Sequence, residues 1–514
     1  MSSFPQSTRN ERSDNMLLFQ ENILTPIIKA LQDFGVHNAF CINEKFYTYN
    51  EFAQHISKIR KALQSSVIKS KNIGLVVNDD IETYASIFSI WLEGYAYVPL
   101  HPQQPNERSL DIISQAGITL VIDSSKTTAF TTSVVIESAS LQFESLYLQP
   151  RSIPDNSLAY ILFTSGSTGQ PKGVPITRCN IASFMKSFWE VGFQIDHNDR
   201  CLQSFDLTFD VSVQSYLVPL TRGACTFTIP HSQIKYSYVY GLFEDHHLTF
   251  GAMTPSMIRY LRPYFNEIFI PAMRYCILTA EASPVSLVTE WSKCIPNAEI
   301  YDFYGPTEAT IYCTYMKFNK DGENKHLNGM FSIGKAMNGL TAIIIDEEKN
   351  SLGAYSKGEL CISGPQITSG YWNNPEKTSE SFFEKQMNGT VHRFYITGDL
   401  CYLDNEGDIM YSGRMDFQVK IQGYRVELGE IEFHAREYLK EQNAIAASFE
   451  NYSGNTEIAL FIEGTLPESA PLLAYLKSKL PYYMIPTRII CQEIFPLNAN
   501  GKTDRNRLKK SISL

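Results

Sequence analysis

No two of the ten cysteines stand close together: they lie at 41, 179, 201, 225, 276, 294, 313, 361, 401 and 491. That scatter excludes the short spacing of a zinc ribbon or a redox dithiol and leaves most of them as reduced core residues. Long apolar runs are missing too, and nothing approaches the length that crosses a bilayer. The polar opening MSSFPQSTRNERSDN lacks the apolar stretch and small-residue cleavage site of a secretory signal. The expectation is a soluble, cytoplasmic protein with no membrane partner. Basic excess is absent as well. A formal net charge of −10 argues against a nucleic-acid partner, because phosphate neutralisation needs clustered Lys and Arg. There is no internal repeat and no low-complexity tract.

What is present is ordinary globular text, 44% hydrophobic and 19% charged, in a chain of 514 residues. That length predicts one large domain with a smaller one, or several of average size. Phe52, Ile56, Ile59 and Leu63 recur at helical spacing behind a possible Asn50 cap, and NIGLVVND then reads as a buried strand. The alternation continues through YAYVPL, LVIDS and AYILF, with helix-like ETYASIFSIWLEG among them, so the fold class is α/β. After about residue 325, LTAIIIDEEKNSLGAYSKGELCISG looks like a β hairpin or small barrel. Past GRMDFQVKIQGYRVELGEIE an amphipathic helix, IEFHAREYLK, opens a small separate unit, with the boundary near Asp416.

The most informative stretch is Tyr160-Ile-Leu-Phe-Thr-Ser-Gly-Ser-Thr-Gly-Gln-Pro-Lys-Gly173, a buried strand that ends in glycines, hydroxyls and one lysine. Gly166 and Gly169 let backbone amides approach an anion, Thr164, Ser165, Ser167 and Thr168 add hydroxyl donors, and Lys172 adds charge. It is not a Walker loop, since the lysine sits in Pro171-Lys172-Gly173 without the required Gly-Lys-Ser/Thr.

The string resembles the signature loop of the superfamily that includes acyl-CoA synthetases, firefly luciferase and nonribosomal-peptide adenylation domains. Matching elements follow in order along nearly the whole chain. The resemblance implies a large multi-sheet N-terminal adenylation domain, residues 1–415, and a small mobile α+β C-terminal domain, residues 416–514. It implies ATP and Mg2+ as cofactors. Tyr301-Asp-Phe-Tyr-Gly-Pro-Thr-Glu308 is similar to the adenine and metal segment. Tyr304 would stack on the purine, with Phe303 beside it. Asp302 or its backbone would meet the exocyclic amine, Thr307 would donate to the α-phosphate, and Glu308 would be the metal ligand. Asp399 would accept both ribose hydroxyls, Arg414 would reach ribose or phosphate, and Asp416 matches the hinge. Lys502, in Asn500-Gly-Lys-Thr-Asp-Arg505, would bridge the α-phosphate and the substrate carboxylate. Gly423 would let a pantetheine arm pass for thiolation.

Asp210, in Ser204-Phe-Asp-Leu-Thr-Phe-Asp-Val-Ser-Val-Gln214, matches the aspartate with which amino-acid-activating members pair the substrate ammonium; on sequence alone it could instead cap the helix VSVQSYLVPL. The implied pocket is lined by Val211, Gln214, Ala252, Leu278, Ala280, Phe303, Ile311 and Tyr312, a wall suited to a small or medium neutral side chain. The chain also looks like stand-alone ligases that load D-alanine on a carrier protein, although their cysteine is not evident in Leu278-Thr-Ala-Glu281. The expected acceptor is a phosphopantetheinylated carrier protein supplied in trans, since the chain ends about a dozen residues beyond Lys502. Three alternatives share the nucleotide motifs: an acyl-CoA or aryl-acid ligase, a nucleotide-binding protein without turnover, and transfer to an amine.

Overall fold

The computed structural model describes residues 18–125, 130, 133–166, 169–440, 442–497 and 503–512. Two large sheets dominate. In the six-stranded sheet the neighbours run Val134–Glu137, Leu120–Asp123, Asn72–Val76, Ala96–Leu100, Leu158–Thr164 and Lys172–Thr177. All are parallel except the last pair, which forms the antiparallel ladder beside the glycine loop, with Thr164 opposite Lys172. A nine-stranded sheet carries Cys225–Thr228, Arg200–Gln203, Phe250–Met253, Tyr275–Thr279 and Glu299–Tyr304 in parallel. Strands buried along their length, such as Asn72–Val76, read as continuous apolar runs for this reason.

One core draws on both sheets and includes Leu75, Tyr97, Tyr160, Ile277 and Phe303. Helix Ile81–Glu93 contributes to it and is buried almost all round, so it presents no polar face. Its one buried charge, Glu93, is paired by Arg60 at 2.7 Å, both side chains being essentially inaccessible. Helix Tyr49–Ser65 is capped by Thr48, not by Asn50. The Thr48 hydroxyl and the Glu51 carboxylate satisfy each other's backbone N–H in a capping box, which fixes the helix start one residue before the asparagine.

The segment after residue 325 is an antiparallel sheet, not a closed barrel: Thr341–Ile345, Gly358–Ser363, Thr390–Leu403 and Phe382–Met387 lie in that order, and Ile409–Arg414 adds to the long third strand. Beyond it a hairpin, Gln418–Ile421 with Tyr424–Glu427, leads into helix Leu428–Leu439. Residues from Ile421 onward then have a core of their own, with Val426, Ile431, Leu460 and Leu472 in it. Among the described residues no helix is long and apolar enough to cross a membrane.

Candidate active site

The glycine loop joins two antiparallel strands of the six-stranded sheet. A Cβ on Gly166 would lie 2.1 Å from the Gln170 carbonyl oxygen, which leaves room for no side chain. The Gly166 N–H donates to Glu430 Oε2 at 3.1 Å, and the Ser165 hydroxyl donates to the Arg425 carbonyl at 2.9 Å. The loop therefore already holds an oxyanion, one carried by the small unit. Thr164 Oγ1 is buried and has no partner among the described residues. Ser167 and Thr168 lie outside the described residues, as does Lys502.

Glu308 sits in a short 3-10 turn, Thr307–Ala309, directly after strand Glu299–Tyr304, and is wholly buried. Tyr371 donates its hydroxyl to Oε1 at 2.7 Å and Arg425 Nη1 donates to Oε2 at 2.8 Å, while Lys172 Nζ stands 3.6 Å away. Burial alone would raise this carboxyl, but Arg425, Lys172 and Tyr371 outweigh it and hold Glu308 well below the usual carboxylate range. Burial and the Arg425 charge in turn push Lys172 down to about 8. A hard carboxylate whose Oε2 already pairs with a cation suits a divalent metal, which would compete with Arg425 for it.

Tyr304 donates its hydroxyl to Asp399 Oδ2, and Arg414 Nη1 donates to Asp399 Oδ1 at 2.9 Å. Asp399 and Arg414 face each other across one antiparallel ladder, and Arg414 also pairs with Asp416 at 2.6 Å. Asp302 accepts from the Ser283 hydroxyl at 3.0 Å and is pushed up to about 8 by burial.

Asp210 opens helix Asp210–Leu220 but does not cap it: the residue at the cap is Phe209, and no side chain serves. The Asp210 carboxylate is buried, and its Oδ2 has no partner among the described residues. Burial pushes this carboxyl up to about 6, with Lys420 and the Thr307 hydroxyl opposing. One cavity of about 110 Å³ is lined by Asp210, Val211, Ala280, Phe303, Tyr304, Thr307, Asp399 and Arg414. The structure thus brings together residues separated by up to 216 positions, from Phe209 to Arg425. Gln214, Ala252, Leu278, Ile311 and Tyr312 do not line it. Tyr312 backs Phe303 at 4.9 Å between ring centroids and donates to Gln214 Oε1 at 3.4 Å. Ala252 and Ile311 share the main core with Phe303, whereas Leu278 packs with Met253 and Met257 in a separate core.

Sequence reasoning singled out only Gly423 of the hairpin. Lys420 and Arg425 are cross-strand partners in it, and both reach the same cavity. Burial and the neighbouring Arg425 push Lys420 down to about 8. The signal was there in QVKIQGYRVE, two cations set among apolar strand residues. Tyr371 and Glu281 carried no such mark. Glu281 Oε1 accepts the Gly423 N–H at 2.7 Å, and Gly423, at φ +84°, approaches Thr254 so closely that a Cβ there would lie 2.8 Å from Cγ2. A second cavity, of about 470 Å³, meets the first at Phe209 and Gly423 and runs out past Thr254, Tyr424 and Tyr482.

The profile of the family described as AMP-binding enzyme matches residues 29–372. A linear gramicidin synthase polypeptide of Brevibacillus parabrevis is 33% identical over 90% of the chain, which spans only 6% of that relative's length. A D-alanine--D-alanyl carrier protein ligase of Lacticaseibacillus paracasei is 28% identical over 96% of the chain and 99% of its own length. Among solved structures, the Vibrio cholerae adenylation domain AlmE, in complex with glycyl-adenosine-5'-phosphate, superposes with a TM-score of 0.83 at 23% identity, covering 99% of both chains.

Proposed function

The chain belongs to the family of AMP-binding enzymes, and on that footing we propose that it is an adenylate-forming ligase that activates a small or medium neutral amino acid and passes it to a carrier-protein thiol. One observation carries the amino-acid reading. A buried carboxylate, Asp210, lines the cavity together with Tyr304, Asp399 and Arg414, and its Oδ2 has no partner among the described residues. An orphaned buried anion is costly unless a ligand cation completes it, and an α-ammonium is such a cation. Phe303, backed by Tyr312, limits the side chain that fits, and a charged one would be buried unpaired.

In the first step the substrate carboxylate attacks the α-phosphorus in line, and pyrophosphate leaves toward the glycine loop and Lys172. Asp210 fixes the ammonium end, Tyr304, Asp399 and Arg414 fix the nucleoside, and Thr307 donates to the α-phosphate. Lys502 bridges the α-phosphate and the carboxylate as charge redistributes. Positioning and charge stabilisation do most of the work in such a displacement. Glu308 is the residue that would hold Mg2+, which neutralises phosphate charge when bound.

The second step needs the small domain, residues 416–514, turned about Asp416. The larger cavity, joined to the first beside Gly423, offers a phosphopantetheine arm a route to the acyl carbon. The thiolate sulfur attacks that carbon and AMP leaves. A carrier protein as the acceptor is supported by the likeness to the D-alanine--D-alanyl carrier protein ligase. Ten free cysteines suit a reducing compartment such as the cytoplasm.

The test is amino-acid-dependent exchange of labelled pyrophosphate into ATP, across the proteinogenic amino acids and D-alanine. Exchange with one or two neutral amino acids, lost in Asp210→Ala, is expected. Exchange only with fatty or aromatic acids, unaffected by that change, would replace this reading with an acyl-CoA or aryl-acid ligase.

A further inference from the structure

At the edge of the nine-stranded sheet, three segments bring a sulfur, an imidazole nitrogen and a carboxylate oxygen within 4.8 Å of one another. Cys41 comes from strand Asn38–Ile42. Glu44 comes from the tight turn to Lys45–Thr48, in which Asn43 and Glu44 both have positive φ, 49° and 61°. His246 is the last residue of helix Lys235–His246. His246 Nε2 lies 3.1 Å from Glu44 Oε2, while Glu44 Oε1 accepts from the Tyr238 hydroxyl at 2.9 Å. The rings of Phe227 and Phe46 pack against the imidazole at 5.0 and 5.8 Å and restrict its rotation. Cys41 is 2% exposed, His246 half-buried and Glu44 exposed, so the trio runs from a buried sulfur to a carboxylate that solvent reaches.

We propose that Cys41, Glu44 and His246 bind a thiophilic divalent cation of the Zn2+ type at a site separate from the nucleotide cavity. The donor set is the one such ions favour, soft sulfur with imidazole and one carboxylate, leaving a fourth position for water. Charge also balances: thiolate and carboxylate together neutralise a dication. Without a cation, burial and the Glu44 carboxylate push the Cys41 thiol up to about 12, a repulsion that a cation between them reverses. On binding the S–H bond breaks, a metal–sulfur bond forms and the proton passes to solvent, so affinity rises with pH.

The other such cluster among the described residues, His101, Asp206 and His231, is already saturated. His101 Nδ1 accepts the Gln103 N–H at 3.1 Å, Nε2 lies 2.8 Å from Asp206, and the half-buried Lys235 ammonium adds its charge to Asp206. The Cys41 site has a structural consequence of its own. It ties down the far end of the helix whose first turn, at Lys235 and Tyr236, lines the larger cavity.

The test is titration of the metal-stripped full-length protein with Co2+, read by thiolate-to-cobalt charge-transfer absorption in the near ultraviolet, with Zn2+ competing. One equivalent of thiolate-bound Co2+ is expected. It should be lost in Cys41→Ser, weakened at least tenfold in Glu44→Gln and in His246→Ala, and unchanged in Cys491→Ser. Absence of the band in the unsubstituted protein, its persistence in Cys41→Ser, or indifference to both Glu44→Gln and His246→Ala would each overturn the proposal. If Cys41→Ser fails to fold, the other two variants, whose side chains lie outside the core, decide it.

Discussion

Asp210 and Glu308 are two buried carboxylates of one site, 6% and 0% exposed, yet their environments push them in opposite directions. Glu308 has a hydroxyl and two cations around it and stays ionised. Asp210 keeps an oxygen without a partner among the described residues and is pushed up to about 6. Burial is common to both, so the difference lies in partners alone. At Glu308 the protein's own small unit fills the site, with Glu430 on the loop amide and Arg425 on the carboxylate. At Asp210 the place is left for the α-ammonium of the proposed substrate.

The largest effect should come from removing that open charge. Asp210→Asn is expected to cut amino-acid-dependent pyrophosphate exchange at least 100-fold, since about 3 kcal/mol is typical of a lost buried charge-assisted contact. The same change should raise the melting temperature of the ligand-free protein. A raised carboxyl pKa means that the folded state keeps its proton longer than the unfolded chain, so stability falls as pH climbs from about 4 through about 6 and remains lost above it. At neutral pH the asparagine should therefore recover about 3 kcal/mol. In the unsubstituted enzyme, KM for the amino acid should fall as pH rises through that same window and then level off. A variant less stable than the parent at neutral pH would mean that Asp210 already has a partner, and the contrast with Glu308 would collapse.

A smaller and more selective effect is expected at the filled end. Arg425→Ala frees Glu308 for a metal while removing one of the bonds that seat the small unit here. Pyrophosphate exchange should persist, and aminoacyl transfer to a carrier thiol should fall about 30-fold, or 2 kcal/mol, the range for one charge-assisted bond. Equal loss of both activities would show that Arg425 serves the first step and does not simply alternate with the metal. The mildest change is Gly423→Ala. Its Cβ would lie 2.8 Å from Thr254 Cγ2 at a φ of +84°, a left-handed strain of about 1 kcal/mol before the contact is counted. Transfer should fall about tenfold with exchange intact.

The α/β reading, the sequence of strands and helices, and the phosphate loop were legible because each depends on neighbours in the chain. NIGLVVND is apolar throughout because its strand is covered on both faces, and the glycines at 166 and 169 mark a turn that admits no side chain at the first of them. Asn50 does not cap this helix and Thr48 does, because a cap is decided by which side-chain oxygen reaches the free N–H, not by residue type alone. Lys420 and Arg425 were overlooked because a strand pair's cations show their purpose only once Glu308 and Asp210 stand opposite them. Leu278 looks equivalent to Ala280 two positions on, yet it joins a core with Met253 while Ala280 lines the cavity.

By itself the sequence determined the chemistry available: a loop that favours anions, carboxylates at 210, 308 and 399, and a glycine where chains come close. Each follows from side-chain and backbone properties that do not depend on distant residues. The tertiary structure alone decided which of those charges are satisfied. Whether a buried carboxylate is closed by arginine or left open for an ammonium depends on groups more than 100 residues away, as Arg425 is from Glu308, and burial sets how strongly the outcome counts.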